Sequence, residues 1–303
     1  TATIKCGIPS CENRKRASHR LPQHLARSPL PTSRAKRIVT PTPSPTPRWT
    51  AVSSSPMNKA QRATQEYHKE FFKKAKLFEK GTWIAESEEY LLKLVEEYFG
   101  EKKNIRILDL GCGVGRNAIP IAKIIGPNGG RVTCIDVLEI AIEKLKENSE
   151  ECGVSNYIES EVKEVEKFSI KRDYFDLVLS FSVLEHGVSS EDSFFEVIRN
   201  IKDGTKSGGL NYLGITTNLE ELDAKTFEKL PKDIVYDASS EKAKSDLEDI
   251  YKDWKIISTE KSFYKEKYVK NGKMIIWQSD FLTFVARNSD ADALANEAMD
   301  RGV

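Results

Sequence analysis

Residues 104–122, NIRILDLGCGVGRNAIPIA, constrain the fold more than any other stretch of the chain. Ile105, Ile107, Leu108 and Leu110 make a short apolar, partly β-branched run, as in a strand buried on both faces. Gly111, Gly113 and Gly115 follow at alternate positions. A turn with three glycines can take positive φ and lets a ligand approach the backbone closely. After it, Ala118, Ile119, Ile121, Ala122 and Ile125 supply the apolar face of a helix. The N-terminus of that helix would aim free N–H groups and a partial positive charge at whatever sits above the turn.

The alternation recurs. Strands are expected at 131–137, 157–162, 174–182 and 210–217, with helices at 138–152 and 191–202 between them. Residues 218–250 are mostly polar and partly helical in pattern. Two final strands, 254–263 and 277–286, flank a turn sequence, Asn271-Gly272. Repeated strand–helix alternation with short connections specifies a doubly wound α/β fold. The expected sheet has seven strands and is mostly parallel, with an antiparallel C-terminal strand at or near an edge. Ahead of the first strand, helical patterns run over 58–80 and 86–99. Residues 57–103 are therefore read as a helical lid over the turn, with core packing as the alternative for most of their aromatics. Residues 104–287 form the main domain, and 288–303 read as a frayed tail.

Residues 1–56 carry ten Lys/Arg and one acid, which leaves 37 basic against 45 acidic residues in the remainder. This Pro/Ser-rich basic arm is not expected to fold. It reads as sequence lying upstream of a start at Met57, as an organelle transit segment, or as a native disordered arm. The acidic remainder gives no electrostatic case for a nucleic-acid partner. Five scattered cysteines without CxxC or His/Cys clustering argue against a disulfide framework and against a metal site. They suit a reducing, cytoplasmic setting, or an organelle if the arm is a transit segment. No apolar run approaches the ~18 residues of a membrane span.

Two kinds of ligand use such a glycine turn. A dinucleotide wants G-x-G-x-x-G, but Arg116 stands where the last glycine should be. Instead the chain reads D-L-G-C-G-V-G from Asp109, and a second acid, Asp136, ends the next strand. A carboxylate there can accept both hydroxyls of a ribose. The pattern fits a nucleoside without a pyrophosphate.

ILDLGCGVGRNA resembles the first motif of class I S-adenosylmethionine-dependent methyltransferases. The resemblance continues through CIDV, FDLVLSFSVLEH and IKDGTKSGGL, and covers residues 104–217. The GRN after the turn is similar to tellurite- and thiol-type small-molecule methyltransferases. The resemblance implies S-adenosyl-L-methionine as cofactor. It places Asp109, Gly111, Gly113 and Gly115 along its methionine and ribose, and Asp136 on the ribose hydroxyls. Val137 would pack on the adenine, and Glu161 would accept from the adenine amine. Ser180 and Phe181 would lie beside the methionine amine and the reacting methyl.

Methyl transfer from a sulfonium is a direct displacement, so alignment and exclusion of water dominate. A general base is needed only for a protonated acceptor. His186, in the Glu-His pair, and His68, in the aromatic helix, are the candidates. Trp83 could wall the pocket. The fourth strand lacks the Asn/Asp-Pro-Pro-Tyr/Phe sequence of amino-group nucleic-acid methyltransferases. A small-molecule acceptor is favoured, with a protein methyltransferase as second reading. A non-catalytic cofactor-binding module and a nicotinamide oxidoreductase are the rival classes.

Overall fold

The computed structural model describes residues 57–270 and 272–289; the basic arm and most of the expected tail lie outside them. The chain runs α1 (Lys59–Lys74), α2 (Glu89–Phe99), β1 (Arg106–Leu110), α3 (Ala118–Ile125), β2 (Arg131–Asp136), α4 (Glu139–Glu151), β3 (Ile158–Val162), β4 (Phe175–Phe181), α5 (Leu184–Gly187), α6 (Glu191–Gly204), β5 (Thr205–Asp223), α7 (Ser240–Ile250), β6 (Lys255–Lys270) and β7 (Lys273–Arg287). These strands form a seven-stranded sheet in the order β3-β2-β1-β4-β5-β7-β6. β1 to β5 are parallel, and β7 enters antiparallel between β5 and β6. The doubly wound α/β fold expected from the sequence is the one observed.

Helices cover both faces of the sheet, as a parallel sheet requires. Leu108, Leu110 and Val178 point to one side, against α6 and α7; Ile107, Leu177 and Leu179 point to the other, against α2 and α3. Leu91, Leu94, Val95 and Phe99 of α2 are buried in that second core. α2 is thus a layer of the domain, whereas α1 lies over the glycine turn. There Phe72 comes so near Gly113 that a Cβ would stand 3.3 Å from its ring.

Five elements differ in their bounds from the sequence pattern. α1 stops at Lys74, before Phe78. The Ala75 amide closes the last turn on Phe71, and Phe78 itself takes φ 62° to bond Ile84. α2 begins at Glu89 because the two residues before it are tied elsewhere. Ser87 Oγ donates to the Arg116 carbonyl at 2.6 Å, and the Glu88 amide to Asn117 Oδ1 at 3.0 Å. The last three strands overrun their expected ends. β5 continues to Asp223, and the β6–β7 pairing extends to Lys270 opposite Lys273.

The turn after β1 is held by two amides, Gly111 and Cys112, that both donate to the Ile135 carbonyl, at 2.7 and 3.0 Å. Gly111 sits at φ 76°, and a Cβ there would fall 2.1 Å from Val183 Cγ2. Gly111→Ala should therefore cost roughly 2–4 kcal/mol, combining left-handed strain with overpacking. Gly208, at φ 75° with open space around it, supplies the control: Gly208→Ala should cost about 1–2 kcal/mol, the backbone part alone. Urea midpoints of the two variants check this; equal losses would contradict the steric account.

Candidate active site

Above the carboxyl ends of β1, β2, β4 and β5, α1, the 75–88 segment and the far half of the β6–β7 hairpin border a half-open cavity of about 1730 Å³. Asp109, Gly111, Gly113, Asp136, Val137 and Phe181 line it, with His68, Trp83 and His186. In an open α/β sheet this is where ligands bind, beyond the carboxyl ends of the strands.

Asp136 organises the floor. Its Oδ2 accepts from the Gly113 amide at 2.9 Å and its Oδ1 from the Leu138 amide at 2.9 Å. Burial pushes its carboxyl above the usual range, and these amides pull back against it. Asp109 is 3% exposed, and its carboxyl meets no hydrogen-bond donor among the described residues. Burial, reinforced by the neighbouring Asp136 charge, pushes it up to about 7, with Arg116 opposing.

Three expected residues are not brought to the cavity. Gly115, at φ 94°, leaves room for Leu145 and Ile119, which a Cβ would meet at 2.6 and 2.9 Å; its role is packing. Ser180 is buried in β4 with its Oγ unpaired. Glu161 lies on the edge strand β3, exposed and paired with Lys163 at 3.2 Å.

Arg116 carries more than the sequence reading gave it, which was to exclude a dinucleotide. Its guanidinium lies 4.8 Å from the centre of the Phe181 ring and 3.4 Å from Glu88. It thereby joins β4, the turn and the segment before α2. The hairpin residues Tyr264, Glu266, Tyr268 and Trp277 also line the cavity. Tyr264, Glu266 and Tyr268 alternate with Lys265 and Lys267 in the sequence, but the charged Glu266 at the middle inner position breaks the apolar face that would mark a strand.

The two histidines sit close enough for the His186 charge to oppose protonation of His68. His68 stacks on Phe72 at 5.7 Å, and burial lowers it to about 4. His186 Nδ1 is 3.3 Å from the Asp233 carbonyl oxygen. Asp233 is in turn bonded by Lys59 of α1 and Lys270 of β6, at 2.9 and 3.0 Å, so one carboxylate ties the cavity's walls together. Among the described residues no group of three or more His, Cys, Asp or Glu is placed to hold a metal ion, and no helix is long and apolar enough to cross a membrane.

A parallel sheet ending in a reversed strand, with a glycine turn and an acid at the end of the second strand, defines a class I S-adenosylmethionine-dependent methyltransferase domain. The family described as "Methyltransferase domain" matches residues 101–268, more than half of the chain, and the chain belongs to it. A ubiquinone biosynthesis O-methyltransferase of Rickettsia canadensis is 30% identical over 38% of this chain and 45% of its own length. The tRNA N(3)-methylcytidine methyltransferase trm140 of Schizosaccharomyces pombe is 31% identical over 48% of this chain and 47% of its own length. The chain thus spans less than half of either relative. TehB from Haemophilus influenzae has a similar structure, with a TM-score of 0.48 and 21% identity over 69% of this chain and 64% of that one.

The buried acid gives a pH signature. With Asp109 at about 7 when folded against 3.8 ordinarily, the folded state keeps a proton that the unfolded state releases. This group therefore costs stability as pH rises from about 4 to 7, by at most ~1.4 kcal/mol per unit. His68 has the opposite sign, since its depressed value costs stability as pH falls from 6.5 towards 4. Asp109→Asn should gain on the parent progressively between pH 5 and 7 in urea unfolding. A difference independent of pH would contradict the assignment.

Proposed function

We propose that the chain moves the methyl group of S-adenosyl-L-methionine to a small-molecule acceptor bound in the same cavity. The observation that carries this is the cavity's size. About 1730 Å³ exceeds the roughly 300–1,000 Å³ that encloses one drug-sized ligand, so a second small molecule has room beside the donor. The electrostatics agree. On the inner wall Arg116 is matched by Glu88, and Lys59 and Lys270 by Asp233 and Glu221. Arg62, Lys74, Lys80 and Lys273 also line the cavity without an acidic partner among the described residues' ion pairs, so it is the inner wall alone that speaks for a small acceptor. A nucleic-acid site instead offers unpaired cations to phosphates.

The residues present suit the donor. Gly111 and Gly113 hold the turn at φ 76° and 53° and keep side chains off the backbone where a ligand must approach. The uncommitted Asp109 carboxyl faces the cavity and can balance a cationic group. Bound here, S-adenosyl-L-methionine supplies a sulfonium-activated methyl group for direct displacement. Asp136 uses its remaining lone pairs for the ribose hydroxyls, while Val137 offers an apolar wall to the adenine. Phe181 and Trp83, with α1 above them, exclude water from the reacting end.

The two histidines are unequal as bases. Burial keeps His68 neutral to about 4, which makes it a poor proton acceptor at neutral pH. His186 is better suited: a proton on Nδ1 donated to the Asp233 carbonyl leaves the Nε2 lone pair to take one from an acceptor, with the buried Glu185 Oε1 4.0 Å from Nε2 to balance the cation formed. A non-catalytic module would be expected to plug the space over Phe181, and that ring instead borders the open cavity. Glu161 and Ser180 have no part in this proposal.

Asp136→Ala should weaken S-adenosyl-L-methionine binding by about 1–3 kcal/mol, the loss of charge-assisted hydrogen bonds to a ligand, read by calorimetric titration. Unchanged affinity would remove Asp136 from the site. The acceptor class is tested by incubating the protein with labelled donor and thiols, metalloid oxyanions, amines, carboxylates, total tRNA and a protein extract. Label is expected in a small molecule; label in tRNA or protein alone would overturn the reading.

A further inference from the structure

The inner face of β6 presents Tyr264, Glu266 and Tyr268 to the cavity, while Lys265 and Lys267 alternate onto the opposite face. Around Glu266 stand rings from three separate elements. Tyr268 meets Tyr67 of α1 edge-on at 5.4 Å, and Tyr264 meets Trp277 of β7 edge-on at 5.7 Å. The Tyr264 hydroxyl donates to Glu266 Oε2 at 3.1 Å, which fixes the carboxylate among them.

Glu266 differs from Glu88, Glu221 and Asp233 in its partners, and from the cavity-lining Glu66 and Glu79 in being partly buried. Glu88 has Arg116, Glu221 has Lys270, and Asp233 has Lys59 and Lys270. Among the described residues no Lys, Arg or His lies within ion-pair distance of Glu266. Lys270, four residues along the same strand, is already held by two acids. A partly buried carboxylate without a cation is unfavourable unless something else supplies the charge. Negative ring faces beside it add attraction for the same sign of ligand.

We infer that this box of Tyr67, Tyr264, Tyr268 and Trp277 around Glu266 binds a positively charged nitrogen, and that the acceptor is an ammonium-bearing small molecule. The inference rests on the small-molecule reading of the cavity and deepens it. It disfavours acceptors that are anionic at this end, such as metalloid oxyanions and carboxylates, which Glu266 would repel.

The test uses the full chain saturated with S-adenosylhomocysteine and two probes of one shape. These are phenethyltrimethylammonium and its neutral isostere, in which carbon replaces nitrogen. Calorimetric titration should show the cation binding about tenfold tighter or better, the scale expected for a desolvated cation on aromatic faces with a carboxylate beneath. Glu266→Gln should remove most of that preference while leaving S-adenosylhomocysteine affinity unchanged, which also shows that the variant folds. Equal binding of the two probes, no binding of either, or a preference that survives Glu266→Gln would overturn the inference. Failure of S-adenosylhomocysteine to bind would instead sink the donor reading. The preference for cation over isostere is then still read in its absence.

Discussion

The Asp136 carboxylate bonds two backbone amides that belong to different connections, Gly113 in the turn after β1 and Leu138 at the start of α4. Those bonds, with the Ile135 carbonyl accepting from Gly111 and Cys112, lock the first two strand-to-helix connections to each other. The glycines let the backbone take the path, and the carboxylate holds it there. Because the same acid is buried beside Asp109, it also raises the cost of ionising that neighbour. One interaction therefore sets the shape of the turn and the electrostatics of the floor beneath a ligand.

The cavity above this floor is composite. Its donor side is built from residues close together in sequence and fixed by the sheet. Its other side is assembled from α1, the 75–88 segment, the stretch around Asp233 and the overrunning hairpin, which meet through side chains. Asp233 links Lys59, Lys270 and, through its carbonyl, His186. Arg116 links the turn to Glu88 and the Phe181 ring. A fixed floor under a wall of distant segments lets one fold keep its donor and change its acceptor, which is why the family alone leaves the acceptor open.

The donor half was legible in the sequence because it depends on local rules. Apolar runs such as Ile107–Leu110 gave buried strands, the spaced glycines gave the turn, and Arg116 excluded the dinucleotide alternative. Glu161 lies away from the cavity, paired with Lys163, because which way the end of β3 presents its side chain is set by tertiary placement, which sequence spacing does not reveal. Gly115 lies beside Leu145 and Ile119 and not on the cavity, and a glycine needed for helix packing looks the same in sequence as one needed for a ligand. The acceptor half was obscured for another reason. The charged Glu266 stands between Tyr264 and Tyr268 on the inner face, so no apolar face stands out, and their function comes from Tyr67, nearly two hundred positions away. The lid reading divided for the same cause: α1 and α2 have similar amphipathic patterns, and only tertiary packing sends α2 into the core.

The central claim is that the glycine turn and Asp136 hold a nucleoside that carries a methyl sulfonium and no pyrophosphate. Calorimetric titration of the full chain with S-adenosyl-L-methionine and, separately, with NAD tests it most directly. Saturable one-to-one binding of the methyl donor without binding of NAD is the predicted result. Tight binding of NAD with none of the methyl donor would contradict it.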